Sequence, residues 1–419
     1  MTKTEIMIEK IQHAAFRFFE EHTNYDVTST AYGLTVDHTD KKDIASIASV
    51  GFTLSSYIIG VNYQYMPYDD ALDKVYRTLC TLRDHVDHYH GIFAHFIDIK
   101  TGKRHQKSEY STIDTAIAVN GVIAVDAFFD DPAIRKVAHA IISRIDFDML
   151  IHSHEDKLRF YMAYNPDKEG DYVTKKPGFI HHWGMFAEQL MMYVMYAGTT
   201  NDKDKALKLY EGFERTFVSY QQHKFIPTPG NTLFVYQFPL AWLDLENIYD
   251  KDGINWFINA KNATYAHRAF CMRHKHEFKT FNKYQFGLTA SYTKQGYRVY
   301  NALPNAMNQY YTDGTIAPSA IVGSLPMAKE ICLPAIKQMM KNDRLWGKYG
   351  LVGAFNYETD TWISDRDYAL DKGLELLMTN AYLSKDVMHA YMNHEIIKKG
   401  MENLEWITSE TASSIKSIH

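Results

Sequence analysis

Residues 43–61 read DIASIASVGFTLSSYIIGV, and residues 68–88 read YDDALDKVYRTLCTLRDHVDH. The first stretch has helical length, is rich in small residues and carries one formal charge, Asp43, which its position makes an N-cap. The second places Ala71, Leu72, Val75, Leu79, Leu82 and Val86 on a 3.6-residue stripe. Asp69, Asp70, Asp73, Lys74, Arg77, Arg83, Asp84 and Asp87 occupy its other side. A helix that is apolar all round must be covered by other helices, and an amphipathic helix is what covers it. The pair predicts one inward-facing and one outward-facing helix.

The same change of polarity recurs along the chain. It pairs 111–129 with 131–145, 178–197 with 202–220 and 232–246 with 253–275. It also pairs 313–324 with 326–342 and 366–381 with 384–397, and a further helix is predicted over 4–22. Six inner helices ringed by six outer ones describe an all-α fold, an (α/α)6 toroid whose inner helix ends and loops form a central cleft. The repeat is one of polarity and not of sequence, which excludes a short solenoid repeat. Two stretches interrupt the helical rhythm: 92–99 with Lys100-Thr101-Gly102 reads as a hairpin and 158–164 as an edge strand. Both are expected as β-hairpin decorations at the cleft rim. Without a Pro/Gly-rich or low-complexity linker, 1–405 reads as one catalytic domain and 406–419 as a frayed tail.

Composition narrows the function. With 45 Lys plus Arg against 50 Asp plus Glu, a net charge of -5, there is no electrostatic footprint for nucleic acid or an anionic membrane surface. Lys3, Glu5, Glu9 and Lys10 interrupt any secretory core, and no run approaches 18 uninterrupted apolar residues, so neither a signal nor a span is expected. Cys80, Cys271 and Cys332 are scattered, and the chain is expected to be cytoplasmic with reduced thiols. Thirty Tyr, 23 Phe and 6 Trp make 14% of the residues. Such rings fill a core or line a groove that grips sugars.

Isolated charges mark the candidate chemistry. Between Lys176 and Asp202 the single Asp, Glu, Lys or Arg is Glu188; burial raises a carboxyl pKa and favours the protonated form a general acid needs. Asp114 is the sole charge between Glu109 and Asp126, in a first turn where the backbone dipole alone favours a carboxylate. Asp367, Asp371 and Glu375 follow at i, i+4 and i+8, which puts them on one helix face. Twenty His, including His85, His88, His90, His274 and His276, show no metal-binding arrangement. Neither a Gly-x-Gly-x-x-Gly turn, a phosphate loop nor a Gly-x-Ser-x-Gly elbow occurs. No metal and no cofactor are expected.

Several stretches resemble the glucoamylase-like domain, the group that includes glycoside hydrolase family 144 with its β-1,2-glucanases and sophorose-releasing enzymes. They are Trp183-Gly184 followed by Glu188, Leu233-Phe234-Val235-Tyr236-Gln237 leading to Ala241-Trp242-Leu243-Asp244, and Gly287-Leu288-Thr289-Ala290-Ser291. Asp313-Gly314-Thr315-Ile316-Ala317-Pro318 and Trp346-Gly347-Lys348-Tyr349-Gly350 with Ala354-Phe355-Asn356 continue the series, in the family's order from about residue 10 to 395. The resemblance implies an (α/α)6 barrel and inverting hydrolysis of a β-glucoside in a gluco-oligosaccharide, with Glu188 as general acid and Asp371 as the base that activates water, directly or through a relay. The family's Ile-Asp-Gln-Gly is Leu370-Asp371-Lys372-Gly373 here, so Lys372 would hold Asp371 ionised where the two groups meet. The family's longer acidic run is replaced by Glu109-Tyr110-Ser111-Thr112-Ile113-Asp114, which assigns Glu109 and Asp114 to substrate subsites. Trp183, Tyr284, Phe286 and Trp346 are expected as sugar platforms, and Thr289, Asp313 and Thr315 as partners for sugar hydroxyls. The rival readings are a carbohydrate lyase or sugar epimerase on the same toroid using His181, His182 or Tyr236, and a non-catalytic glycan-binding protein. The oligomeric state stays open.

Overall fold

The protein is described by a computed structural model covering residues 1–411 other than 172, 174 and 359. Helices dominate, and most strands are two to four residues long. Lys3–His22 opens with a capping box in which Thr2 and Glu5 satisfy each other's backbone N–H groups. The Ile47–Asn62 helix is buried at every position from Ile47 to Gly60. Its N-cap is Ser46, whose hydroxyl accepts from Ser49 N–H at 3.3 Å, and not Asp43. The strand Ile44–Ser46 pairs with Phe96–Asp98 and delays the helix by three residues beyond Asp43. Tyr68–Asp84 buries Ala71, Val75, Leu79 and Leu82 and turns its charges outward, as expected.

Thr112–Phe129 has the length and mean hydropathy of a bilayer span, but most of it is buried inside the fold. Pro132–Ser143, Trp256–Arg273, Lys329–Met339 and Ala369–Leu383 also match expected helices. Elsewhere the helices are shorter than predicted. The 178–197 stretch divides into a strand, Phe179–His182, and a helix, Leu190–Thr199, because an uncharged apolar run suits a buried strand as well as a buried helix. Within 202–220 the helix is Lys203–Tyr210, and Val218–Tyr220 is a strand. The 232–246 region is reduced to Phe234–Gln237 and a 3-10 turn, Pro239–Ala241, where Pro239 lacks the N–H a longer helix needs. Pro318 starts the short Pro318–Gly323 helix, and 384–397 gives Asp386–Asn393 followed by Glu395–Asn403.

Lys157–Tyr164 is the centre of a four-stranded sheet and not an edge, since it pairs with Ile151–His154, Tyr110–Ser111 and Phe179–His182. The expected hairpin after residue 92 closes between Asp98 and Lys103 through Gly102, which holds a φ of 73°. The chain does not fray at 406: Trp406 packs on Tyr210 at 5.7 Å and Ile407–Thr408 pairs with Ile248–Tyr249. Residues 412–419 of the expected tail lie outside the described residues.

The inner helices pack closely. Ile47–Asn62 lies between Thr112–Phe129 and Ala369–Leu383; the latter meets Pro318–Gly323, and Thr112–Phe129 meets Leu190–Thr199. Gly51 and Gly121 allow two backbones to touch: a Cβ on Gly51 would stand 2.2 Å from Ile117 O, and one on Gly121 would stand 2.5 Å from Gly51 O. Gly373 admits the Phe52 ring in the same way. Phe52 in turn stacks on Trp242 at 5.6 Å, whose indole N–H donates to Ser55 at 3.0 Å. Gly51→Ala should therefore cost about 2–3 kcal/mol through overpacking, read as a lower urea midpoint with unchanged slope. Gly230→Ala, whose Cβ would meet nothing within 4 Å, should stay within about 0.5 kcal/mol of wild type.

Candidate active site

Short extended segments bind the first turns of the inner helices to one another. Asp37 N–H donates to Ile44 O at 3.0 Å, and Asp37 O accepts from Ala369 N–H at 2.8 Å. Ile47 N–H donates to His95 O at 3.0 Å, His95 N–H to Glu109 O at 2.8 Å, and Phe93 N–H to the Thr115 hydroxyl at 2.9 Å. Ser319, in the first turn of Pro318–Gly323, donates its hydroxyl to Asp371 Oδ1 at 2.8 Å. These bonds collect Asp37, His95, Glu109, Asp114 and Asp371 at the N-terminal ends of the helices. A cavity of about 450 Å³ opens there, lined by Asp37, His38, His95, Phe96, Tyr297 and Tyr368 among others. A larger recess of about 640 Å³ lies at the C-terminal end of Leu190–Thr199, away from these groups.

His95 is the positive centre. Its Nδ1 is 2.8 Å from Glu109 Oε1 and its Nε2 is 3.7 Å from Asp114 Oδ1. Burial lowers its pKa, but Asp114, Glu109 and Asp37 overcome that and raise it to about 9, so imidazolium is the form present at neutral pH. The bond from His95 holds Glu109 below the usual carboxylate range. Burial pushes Asp37 up to about 6 against the opposing effects of His95 and a Ser46 hydrogen bond.

Glu188 lies in the turn just before Leu190–Thr199, not within the helix. Burial lifts its carboxyl to about 7, its own backbone N–H opposing and Asp114 adding to the shift. Asp371, in the first turn of Ala369–Leu383, is also raised to about 7 by burial, against Ser319 and Lys372 and with the help of Asp367 and Asp37. The expectation that Lys372 would hold Asp371 ionised is not met. The Lys372 ammonium, fully buried, turns to Leu351 O, to Glu375 at 3.0 Å and to Asp367 at 3.4 Å, and so acts on Asp371 only from a distance. The three carboxylates predicted to share a face divide accordingly: Asp367 and Glu375 flank the lysine, and Asp371 faces Ser319.

The family model Glycoamylase, a glucoamylase model, matches residues 180–395, just over half of the chain. The chain belongs to the Glycoamylase family. It is 20% identical, over 96% of its length, to an exo-β-1,2-glucooligosaccharide sophorohydrolase (non-reducing end) of Parabacteroides distasonis, of whose length it spans 58%. The fold is that of an endo-β-1,2-glucanase from Chitinophaga pinensis, solved with sophorotriose and glucose, at a TM-score of 0.83 and 19% identity over 97% of this chain and 99% of that one. A β-1,2-glucanase from Parabacteroides distasonis gives a TM-score of 0.81 and 18% identity, over 96% of this chain and 60% of that one. The resemblance read from the motifs is thus borne out.

The remaining predicted residues of this Glycoamylase member are distributed unevenly. Glu109 and Asp114 join the cluster through His95. Trp183 is only 6% exposed and donates its indole N–H to Thr112 at 3.1 Å, and Phe286 is fully buried, so both belong to the core and are not open sugar platforms. Trp346 packs at the Lys3–His22 helix, with the Lys10 ammonium 4.5 Å above its ring. Tyr284 lies under the Lys283 ammonium at 4.8 Å and packs against the apolar cluster that contains Phe286, Leu288 and Ile321. Neither ring is among the residues lining the cavity. Thr289 is buried, with its hydroxyl accepting from Phe234 N–H at 3.2 Å, and Asp313 and Thr315 are held by Tyr300 at 2.6 Å and Asn356 at 3.1 Å. The residues proposed for a lyase or epimerase are also engaged: Tyr236 donates to Asn231 at 2.8 Å and accepts from Thr228 N–H, and His182 meets Arg159 at 3.1 Å.

Sequence reasoning missed Asp37, His95, Ser319, Tyr297 and Tyr368. A histidine inside the apolar run Ile92–Ile97 was a usable signal for His95; Tyr297 offered none.

Glu188, with an ordinary value of 4.5, binds its proton more tightly in the folded chain than in the unfolded one. The folded state therefore holds more protons between about pH 4.5 and 7, and stability declines as pH rises through that window. Glu188→Gln should abolish this share of the decline, leaving the variant more stable than wild type at pH 8 by about 1–3 kcal/mol and similar near pH 4.5. Urea unfolding at both pH values checks it; identical pH slopes for the two proteins would remove the buried-acid reading.

Proposed function

We propose that this protein is a glycoside hydrolase cleaving β-1,2-linked gluco-oligosaccharides on an (α/α)6 toroid, with Glu188 as general acid and Asp371 as the base that activates water. The observation that carries this reading is the pair itself. Two carboxyls, brought from distant parts of the chain to the starts of inner helices, are both raised to about 7 by burial, near a cavity lined by Asp37, His95 and Tyr297 among others. The order in which the inner helices pack supports the ring. The β-1,2 linkage draws on the sophorohydrolase and glucanase relatives.

The chemistry follows from the environments. A carboxylic acid near pH 7 keeps enough of its protonated form to give its proton to the glycosidic oxygen as the bond breaks. Asp371, once ionised, accepts the proton of the attacking water, and the Ser319 hydroxyl favours that ionised form. The positive ends of the inner helices face both groups and stabilise negative charge on either. His95 fixes Glu109 and Asp114 as acceptors for sugar hydroxyls while cancelling part of their charge. Attack by water on the face opposite Glu188 inverts the anomeric centre, an arrangement that needs carboxyls roughly 6.5–9.5 Å apart.

The deciding experiment incubates the protein with β- and α-linked gluco-oligosaccharides and follows product size and anomeric configuration by NMR. The expected result is cleavage of the β-1,2 series with an initial α-anomer and a bell-shaped pH dependence centred near 7. Glu188→Gln and Asp371→Asn should each lower kcat by about 10²–10⁴-fold. Near wild-type turnover by Glu188→Gln on a cleaved substrate would sink the acid assignment.

A further inference from the structure

The strands Ala290–Thr293 and Gly296–Val299 form a hairpin registered so that Tyr292 opposes Tyr297. Directly opposed residues of an antiparallel pair share one face. Both rings look toward Tyr368, the N-cap residue of the helix that carries Asp371, with centroids 6.4 Å and 5.5 Å away. Tyr292 is anchored: the Arg366 guanidinium covers its ring at 4.0 Å, and Arg366 is itself paired with Asp40. Its partner across the hairpin is not covered.

Tyr297 is 45% exposed, yet it lines the same cavity as Asp37 and His95. Among the described residues no hydrogen bond is made by its hydroxyl. Burial of that hydroxyl, with the negative charge of Asp371, Asp37 and Asp114, holds the phenol far above its ordinary pKa, so it stays a neutral donor. An aromatic face open to the cavity with an unengaged donor at its tip, across from acids, is what a sugar ring uses: apolar C–H groups against the ring and a hydroxyl at the tip. The four rings expected from motifs do not offer this, since none lines the cavity.

Resting on the hydrolase reading above, we propose that Tyr297 is a substrate-contacting residue, its ring stacking on the glucosyl unit that lies against Asp371 and its hydroxyl donating to a hydroxyl of that unit. The hairpin becomes the wall of the glycan site opposite the 36–39 segment. Ring and hydroxyl then contribute separately: the ring to holding the sugar, the hydroxyl to aligning it for attack.

The test uses the full chain with β-1,2-linked glucose trimers to pentamers, comparing wild type, Tyr297→Phe and Tyr297→Ala. Tyr297→Phe should keep KM within about threefold and lower kcat about tenfold, the loss of one hydrogen bond made at the reacting sugar. Tyr297→Ala should also raise KM about tenfold and weaken trimer binding to the Glu188→Gln background by a similar factor in calorimetry. Because the side chain is half exposed, both variants should melt close to wild type. Turnover and binding within twofold of wild type in both variants, alongside an active wild type, overturns the role of Tyr297 and leaves the hydrolase reading standing. A wild type that neither binds nor cleaves these oligosaccharides overturns the hydrolase reading and this inference with it.

Discussion

The contact between Gly51 and Gly121 sets the spacing on which the rest of the molecule depends. Two helices can approach until their backbones touch only where neither carries a side chain, and here a Cβ on either residue would lie inside the other helix's backbone. Gly373 lets Phe52 fill the next interface, so Ile47–Asn62, Thr112–Phe129 and Ala369–Leu383 are held side by side. Their first turns come together as a consequence. Ser46, Asp114 and Asp371 begin those helices, and their separation is a property of the packing and not of any local motif.

The site is then a problem in charge held out of water. Asp37, Glu109, Asp114, Glu188 and Asp371 crowd one end of the fold, with Asp367 and Glu375 close by, and two cations are shared among some of these carboxyls. His95 is shared by Glu109 and Asp114, and Lys372 by Asp367 and Glu375. Glu188 and Asp371 are left without a cation in contact, so burial dominates both and raises each to about 7. Burial outweighs even a cation in contact at Glu375, which is also raised to about 7 beside Lys372.

The aromatic richness divides along the same line. Most of the rings, among them Trp242, Tyr193, Tyr210, Phe52 and Phe286, are buried and serve as core. A smaller group faces the cavity: Phe96, Tyr297 and Tyr368, with Tyr292 behind them. What distinguishes the two groups is whether a neighbouring element closes over the ring, and that is decided by how hairpins and helix caps meet.

The sequence by itself determined that the fold is built from helices of alternating polarity, because periodicity reports directly which face of a helix must leave water; the long helices at 47–62, 68–84, 112–129, 132–143, 256–273 and 369–383 follow it closely. It also singled out Glu188, Asp371 and Asp114, because a lone charge in an apolar stretch has to be either paired or used. It misplaced the boundaries at 178–197 and 232–246, where an uncharged run fits a strand or a broken helix equally well. Lys372 shows the limit most clearly. Adjacent in sequence to Asp371, it points elsewhere, since successive helix residues project about 100° apart and two other carboxylates lie on its side. The gathering of Asp37, His95 and Tyr297 at one cavity, and of Ser319 on Asp371, was left to the tertiary structure, because each arrives on a different element and the packing of those elements alone brings their side chains together.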